Sequence, residues 1–293
     1  MRVSDAAVYN SMKKRLTKAH AEVNRTQEQI ASGLRVQKPS DDPVAAAAAR
    51  RQQSKKALSE SGMKTADLAS SHLMAADEAL AAAFDGLLSA REIALQASSS
   101  TLGAEQRADL AHQVRAIREQ MVAYGNAEAA GTYVFAGHRA GEPPFTAAGA
   151  FVGDESLREV QVYPNLRVAT SISGAAVFGT AAPDGIFATL EALEAGLTSN
   201  DQVAIRATLG DFSTNEGRFL SARAQVGAMM DSVQAAHSVA DRYANAATLE
   251  SARLTEADQI SAIADMMKAR TSFEAAVAVA QQIQVAGLVQ SRG

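Results

Sequence analysis

Residues 29–46 read Gln-Ile-Ala-Ser-Gly-Leu-Arg-Val-Gln-Lys-Pro-Ser-Asp-Asp-Pro-Val-Ala-Ala, and they predict the end of one helix and the start of the next. Gly33 can adopt the left-handed conformation that closes a helix C-terminus. Asp42 can accept the free N–H groups of a new helix, and Pro43 suits the first helical position. Capping is favoured over a Ca²⁺ site or a catalytic carboxylate pair at Asp41 and Asp42, because no further ligand follows at EF-hand spacing.

Heptad seams extend in both directions from this turn, which covers residues 34–42. We expect a terminal helix over 1–33 and long helices over 43–130, since the apolar positions alternate three and four apart. About 50 residues of the second helix would extend roughly 75 Å. Ser98 to Thr101 interrupts it, and Gly131 is expected to end the third helix. The seam residues are Tyr9, Met12, Leu16, Ala19, Val23, Thr26 and Ile30 in the first helix, and Ala66, Ala69, Leu73, Ala76, Leu80, Ala83, Leu87, Ala90 and Ala94 in the second.

The period of the sequence changes in the middle of the chain. Residues 131–183 contain short strand-like runs separated by Gly or Pro, and they predict a small β-rich outer domain. The expected strands cover 132–136, 151–152, 159–163 and 167–172. Helical periodicity returns over 184–293, with a start at Asn200 or Asp201, a strict four-three alternation over 205–244 and a terminal helix over about 258–293.

The predicted fold class is mainly α with a small β insert, in which the N- and C-terminal halves form a long antiparallel coiled-coil rod. Seams of mostly Ala and Val bury little apolar area. At ~25 cal/mol per Å², they offset a backbone entropy of about 1–2 kcal/mol per residue only if several helices share them. We therefore predict that the chain ends order mainly on assembly, through an interface of Tyr9, Met12, Leu16, Val23, Ile30, Met266, Phe273, Val277, Ile283 and Leu288.

The amino-acid composition argues against several classes of function. The chain has 293 residues, of which 47% are hydrophobic and 5% aromatic, with no Cys and a formal net charge of −4. The lack of Cys excludes disulfides and thiolate chemistry, and the small net charge gives no reason to expect nucleic acid or an anionic membrane. There is no apolar run long enough to span a bilayer, and residues 1–10 lack the apolar core of a cleavable signal.

Candidate chemical groups are few. The five His residues are far apart in the sequence, and no P-loop, zinc-protease or nucleophile-elbow motif is present. We expect no catalytic residue, no cofactor and no metal. Glu216 and Arg223 lie seven positions apart on one seam, where they either pair with partner helices to fix the register or extend their charged ends into water. His237 is expected to be a partly exposed seam residue.

Several motifs, in one order along the chain, resemble the flagellin superfamily. They are the stretch 29–46 above, Gly-Thr-Tyr-Val-Phe-Ala-Gly-His over 131–138 with Pro144 and Phe145, and Arg-Ala-Gln-Val-Gly-Ala over 223–228. The Pro-flanked Asp pair and the second motif are similar to the hook–filament junction branch rather than to the flagellins. Residues 258–285 resemble the terminal half of flagellin-type proteins, although residues 285–293 do not end in the Leu-Leu-Arg common in flagellin.

The resemblance implies a structural subunit of the bacterial flagellum, not an enzyme, that forms a homo-oligomeric ring outside the cell at the hook–filament junction. Its partners would be hook-associated protein 1, flagellin and a flagellar export chaperone, and it would leave the cell through the flagellar type III apparatus. One alternative is a short flagellin that forms the filament itself. Another is a coiled-coil signalling protein, which would ordinarily carry a transmembrane helix or a sensory module.

Overall fold

A computed structural model describes residues 2–100, 102–179 and 185–290, with side chains described for residues 7, 9–100, 102–179 and 185–282. Most of this part of the chain is helical, and the strands are short. The predicted class, mainly α with a small β insert, is confirmed. The helices are α1 (Arg2–Ser32), α2 (Pro43–Ala97), α3 (Ala104–Gly125), α4 (Gly174–Phe178), α5 (Ile186–Thr198), α6 (Gln202–Thr255) and α7 (Gln259–Gln290), and the strands are β1 (Glu128–Ala129), β2 (Thr132–Tyr133), β3 (Glu159–Tyr163) and β4 (Leu166–Ala169).

The chain divides into two compact units, and the first consists of Met1–Lys56 and Ala244–Gly293. Helices α1 and α7 lie antiparallel in this unit. Leu34, just after α1, bridges Glu256, just before α7, while the rings of His20 and Phe273 lie 5.5 Å apart further along the pair. The first turns of α2 and the last turns of α6 also belong to this unit, so each half of the chain contributes to it.

The second unit, Ala57–Tyr243, is built on α2, α3, α5 and α6. Helices α2 and α3 run antiparallel, since Gly86 faces Met121 while Ala97, at the end of α2, accepts a hydrogen bond from Arg107 near the start of α3. Arg115 of α3 pairs with Glu194 of α5 at 2.6 Å. All nine predicted seam residues of α2 are buried in the core of this unit. Leu at every seventh position fills the space between the helices, and the intervening Ala residues let the backbones approach closely.

The β insert consists of two antiparallel hairpins within the second unit. In the first, Glu128 pairs with Tyr133; in the second, Glu159 pairs with Ala169, and a bulge follows Gln161. The side chain of Val162 in β3 is buried. A cluster of aromatic rings joins the insert to the helices, with ring centroids 4.9–5.7 Å apart; its members are Phe135, Phe145, Phe151, Phe178, Phe187 and Phe219.

The end of the third helix differs from the prediction, because α3 stops at Gly125 rather than at Gly131. The side-chain amide of Asn126 bonds both the N–H and the carbonyl of Phe145, each at 2.9 Å. A Cβ on Gly125 would lie 2.7 Å from the Phe145 ring. The close approach of this loop therefore ends the helix, and Glu128–Ala129 forms a strand that the sequence pattern did not indicate.

Two of the expected strands are also shorter than predicted. The first covers Thr132–Tyr133 only, and the last covers Leu166–Ala169 rather than 167–172. The run 151–152 is not a strand, although Phe151 forms an isolated bridge with Phe145. Single backbone hydrogen bonds still hold these segments, such as Val134 N–H to the Ala127 carbonyl at 3.0 Å and Thr170 N–H to the Arg158 carbonyl at 2.8 Å, but they do not continue as regular ladders, so strand composition overestimates the length of the strands.

Of the two residues proposed to start α6, Asp201 is the cap. Its Oδ1 accepts hydrogen bonds from the N–H groups of Val203 at 2.9 Å and Ala204 at 3.1 Å. Asn200 instead has a positive φ of 56° and closes the turn after α5. The side chain of Asn200 accepts a hydrogen bond from Arg107.

Candidate assembly surface

The apolar seam between α1 and α7 is only half covered. Of the eight interface candidates with described side chains, seven are half-buried and Tyr9 is 61% exposed. Phe273 packs against His20 of the same chain, so part of the seam is used within the subunit. An antiparallel pair that leaves its apolar stripe half open has area left for a third helix. The half-buried residues are Met12, Leu16, Val23 and Ile30 of α1 and Met266, Phe273 and Val277 of α7.

The two remaining candidates, Ile283 and Leu288, belong to α7. Their side chains lie outside the described residues. Their part in the interface therefore stays a prediction from the heptad spacing.

A second apolar stripe on α7 was missed in the sequence. Ile260 is 82% exposed and Met267 is 64% exposed, with Ile263 between them also exposed. These residues are spaced three and four apart, so the helical period was available as a signal. The stripe lies next to the seam of Ala262, Met266 and Ala269 that faces α1. In the sequence, the heptad pattern of α7 was assigned to that seam, and a second apolar stripe was not considered. Helix α7 thus offers apolar side chains on more than one face.

The turn between α1 and α2 is held by an extensive hydrogen-bond network. Gly33, with φ of 71°, accepts a hydrogen bond from Ala257 N–H at 2.9 Å. The guanidinium of Arg35 donates to the Leu254 carbonyl at 2.9 Å and to Asp42 Oδ2 at 3.1 Å. This network joins the turn to the end of α6 and the start of α7, and it fixes the point from which α1 departs.

The two Asp residues of this turn serve different backbone groups. Asp42 Oδ1 accepts the N–H of Ala45, two residues beyond Pro43, at 2.9 Å. Asp41 Oδ2 accepts the N–H groups of Lys38 and Gln37. These backbone hydrogen bonds hold the pKa of Asp41 below its ordinary value, and the bond from Ala45, followed by the Arg35 guanidinium, lowers the pKa of Asp42.

Glu216 and Arg223 each face a residue of α2 in the same chain. Arg223 Nε donates to Asp77 Oδ1 at 3.0 Å, and this carboxylate raises the pKa of the guanidinium. Arg91 Nη1 lies 3.3 Å from Glu216 Oε1, without hydrogen-bond geometry. Both side chains therefore contact α2 of their own chain rather than one another, and a role in fixing the register stays a prediction. His237 is half-buried, with Nε2 3.5 Å from Asp67 Oδ1.

Arg107 is a buried structural residue that the sequence analysis did not identify. Its side chain is 2% exposed. The guanidinium donates to the Ala97 carbonyl at 3.0 Å, to the Ser99 carbonyl at 2.7 Å and to Asn200 Oδ1. It thereby satisfies carbonyls at the end of α2 and holds the turn before α6. The helical period was available as a signal, because Arg107 lies seven positions before Val114 and fourteen before Met121, on the buried side of α3.

The described residues contain neither a metal-binding cluster nor a membrane-spanning helix. Within residues 2–100, 102–179 and 185–290 there is no group of three or more His, Asp or Glu side chains placed to hold a metal ion. In the same part of the chain, no helix combines the length and apolarity needed to cross a bilayer.

Comparison with known proteins finds similarity to bacterial flagellar proteins. Residues 3–140 match the model of the bacterial flagellin N-terminal helical region. The chain is 26% identical to flagellar hook-associated protein 3 of Salmonella typhimurium, over 82% of this chain and 83% of that protein. It is 25% identical to flagellar hook-associated protein 3 of Escherichia coli, over 99% of each chain.

The fold is shared with a solved structure. The putative flagellar hook-associated protein of Vibrio parahaemolyticus superimposes with a TM-score of 0.67 at 17% identity, over 74% of this chain and all of that one. At this identity the likeness concerns the fold alone. The half-covered terminal pair and the helical core with its β insert thus occur in a chain that is similar to two flagellar hook-associated proteins 3 over 82% and 99% of its length, and to the bacterial flagellin N-terminal helical region over residues 3–140.

Proposed function

We propose that this protein is the structural subunit of the junction between the flagellar hook and the filament. The main support for this proposal is the half-covered apolar seam between α1 and α7. The chain is also similar to hook-associated proteins 3 over 83% and 99% of their length. Apolar stripes left half exposed by their own chain gain stability when other copies cover them. The described interface candidates, from Met12 to Val277, are the residues that such copies would cover.

In this proposal the subunits form a ring, with hook-associated protein 1 below it and flagellin above it. The terminal helices bundle with those of neighbouring copies and continue the helical lattice of the structures on both sides. Contacts between unlike faces of identical subunits suit this role, because they leave one face free for an unlike subunit at each end. Residues 131–183 face outward as a β-rich outer domain, and the helical halves 1–130 and 184–293 carry the lattice contacts.

The protein reaches this place outside the cell through the flagellar type III apparatus. A dedicated export chaperone binds its C-terminal region before export and covers the apolar side chains there. The exposed stripe of Ile260, Ile263 and Met267 is a suitable surface for such a chaperone, because it is apolar and continuous along one helix. The chain has a structural role and catalyses no reaction.

The test is to delete the gene in the flagellated bacterium that carries it and to image the cells. We expect cells that keep their hooks, lack filaments and release flagellin into the medium. Expression of the intact chain from a plasmid restores the filaments. Filaments that stay attached in the deletion strain contradict the junction role.

A second measurement separates the junction role from that of a short flagellin, with which the chain shares the N-terminal helical region. Purified protein is incubated at high concentration with and without filament fragments as seeds. A junction subunit adds little length, whereas a flagellin grows long filaments. Growth of long filaments from this chain alone overturns the junction proposal in favour of the filament one.

A further inference from the structure

Helix α2 carries a second heptad seam that lies on its exposed side. Its apolar members follow residues of the buried seam by one position and its carboxylates by two, and its members alternate four and three apart. Its apolar members remain open to solvent: Met74 is 55% exposed, Leu88 40% and Leu95 45%. The full stripe, called here the acidic stripe, is Met74, Glu78, Ala81, Asp85, Leu88, Glu92 and Leu95.

The pattern of the acidic stripe is that of a helix–helix interface rather than of a solvated face. Apolar residues recur every seven positions from Met74 to Leu95, over about 32 Å of helix. Every position between them at heptad spacing is a carboxylate, and the stripe contains no basic residue. A solvated helix face ordinarily mixes both signs of charge, whereas a single sign beside an apolar seam selects a partner of the opposite sign.

The charge on α2 is divided along its sequence. From Pro43 to Lys64 the helix contains five basic residues and one acidic one; from Thr65 to Ala97 it contains five acidic residues and one basic one. The basic part also has an exposed stripe at helical spacing, called here the basic stripe: Val44, Ala47, Arg51 and Lys55, with Arg50 beside it. Val44 at its start is 78% exposed.

We propose that the acidic stripe of one subunit docks the basic stripe of a second copy of this chain. The two stripes are complementary in charge, each has apolar side chains for the other to cover, and both belong to the same polypeptide. A contact between unlike faces of identical copies repeats from subunit to subunit, as a ring or a helical layer requires. The inference rests on the proposed junction function and names one surface through which its subunits meet.

Charge reversal with rescue tests the identity of the partner. The acidic variant is Glu78→Lys, Asp85→Lys and Glu92→Lys, and the basic variant is Arg50→Glu, Arg51→Glu and Lys55→Glu. Each alone places like charges opposite one another in every contact. Each variant is therefore expected to lower the fraction of cells with filaments at least about tenfold. A chain carrying both sets restores the complementarity and returns this fraction to within about twofold of the wild type.

The control variant reverses three exposed acids of α3, Glu105→Lys, Asp109→Lys and Glu119→Lys, and leaves attachment unchanged. If the acidic variant is impaired and the combined chain is no better, the acidic stripe serves a different subunit, and the proposal is wrong. Attachment that is normal in the acidic variant also overturns it. Failure of the junction role itself is seen separately, as filaments that persist in the deletion strain.

Cross-linking provides a second readout that does not depend on the stability of the reversal variants. The chain has no Cys, so Ala47→Cys and Leu88→Cys introduce the only thiols, one in each stripe. Isolated flagella are treated with a short bis-maleimide, and the products are separated by mass. Docking of unlike stripes gives a ladder of trimers and longer chains, which neither single variant can form. Products no larger than dimers from the double variant contradict the proposed contact.

Discussion

Gly62 marks a close contact between α2 and the β insert in the second unit. A Cβ at this position would lie 1.8 Å from the carbonyl oxygen of Val162. Because the atoms of α2 and β3 that meet at this contact are backbone atoms, neither can move aside as a flexible side chain does. The absence of a side chain at residue 62 therefore sets how closely the second hairpin lies on the helix.

We predict that Gly62→Ala destabilises the protein by about 1–3 kcal/mol, since the added methyl group forces the hairpin away from α2. Gly86→Ala is the matched control in the same helix. There the added Cβ would meet only side-chain atoms at ordinary contact distances, Met121 Cε at 3.6 Å and Ile117 Cγ2 at 3.8 Å. The control should be neutral or stabilising by up to about 1 kcal/mol, because Ala favours helix more than Gly does. Chemical denaturation of both variants measures the difference, and equal effects contradict the assigned contact.

At the scale of single elements, the sequence predicts the helices best. The seam residues from Ala66 to Ala94 are all buried. Their heptad spacing places them on one side of α2, and this spacing is what allowed the buried side to be predicted. The insert could be predicted only roughly, since the aromatic packing around Phe145 brings together residues distant in sequence. The sequence identified the interface candidates only as apolar positions. Heptad spacing does not show whether a residue such as Phe273 packs on a helix of the same chain or of another copy.

For the α1–α7 pair, we predict that Phe273→Asp weakens the pairing within the subunit as well as assembly. A carboxylate at this half-buried position loses part of its hydration and replaces an apolar contact with the His20 ring. We expect this change to destabilise the α1–α7 pairing by about 1–3 kcal/mol. Amide exchange in α1 and α7 should accelerate roughly tenfold to hundredfold, while exchange in the second unit stays unchanged. The control is Met267→Asp, at an exposed position of α7. Equal acceleration in both variants contradicts the assigned packing.

For the turn at 34–42, we predict a stabilisation by Asp42 that disappears in acid. The pKa of this carboxyl is lower in the folded protein than in the unfolded chain, so its contribution is fully present above the unfolded value, near pH 4, and is lost as the pH falls through the folded value. Asp42→Asn keeps the helix cap but removes the charge that Arg35 meets. The Tm of the wild type should be higher than that of this variant at pH 6, and the two Tm values should be equal near pH 2. A difference independent of pH contradicts this account.

At the scale of the whole molecule, the two units differ in how fully they cover their apolar residues. The second unit has Leu, Phe and Ile side chains with no exposed area, whereas the described seam of the first unit is half-buried. This difference follows from composition, because the helices of the second unit contribute large side chains to one core. It supports the expectation from the sequence that the chain ends order mainly on assembly.

We therefore predict that amides of α1 and α7 exchange in a dilute monomer at least about a hundredfold faster than those at the centre of α6. In isolated flagella the same amides become protected, because neighbouring copies cover the seam. Hydrogen exchange followed by mass spectrometry compares the two samples peptide by peptide, with α6 as the internal reference. Equal protection of α1 and α6 in the monomer contradicts ordering on assembly.

The tight turn of the second hairpin has a practical consequence. Pro164 and Asn165 at its tip are exposed, and Asn165 already has a positive φ of 68°. Chain can be added at such a tip without breaking the ladder on either side, because both ends of the addition leave from neighbouring positions. A short epitope spliced between these two residues would let an antibody or a dye report where in the living cell each molecule resides, and how long it stays there, while both termini remain native.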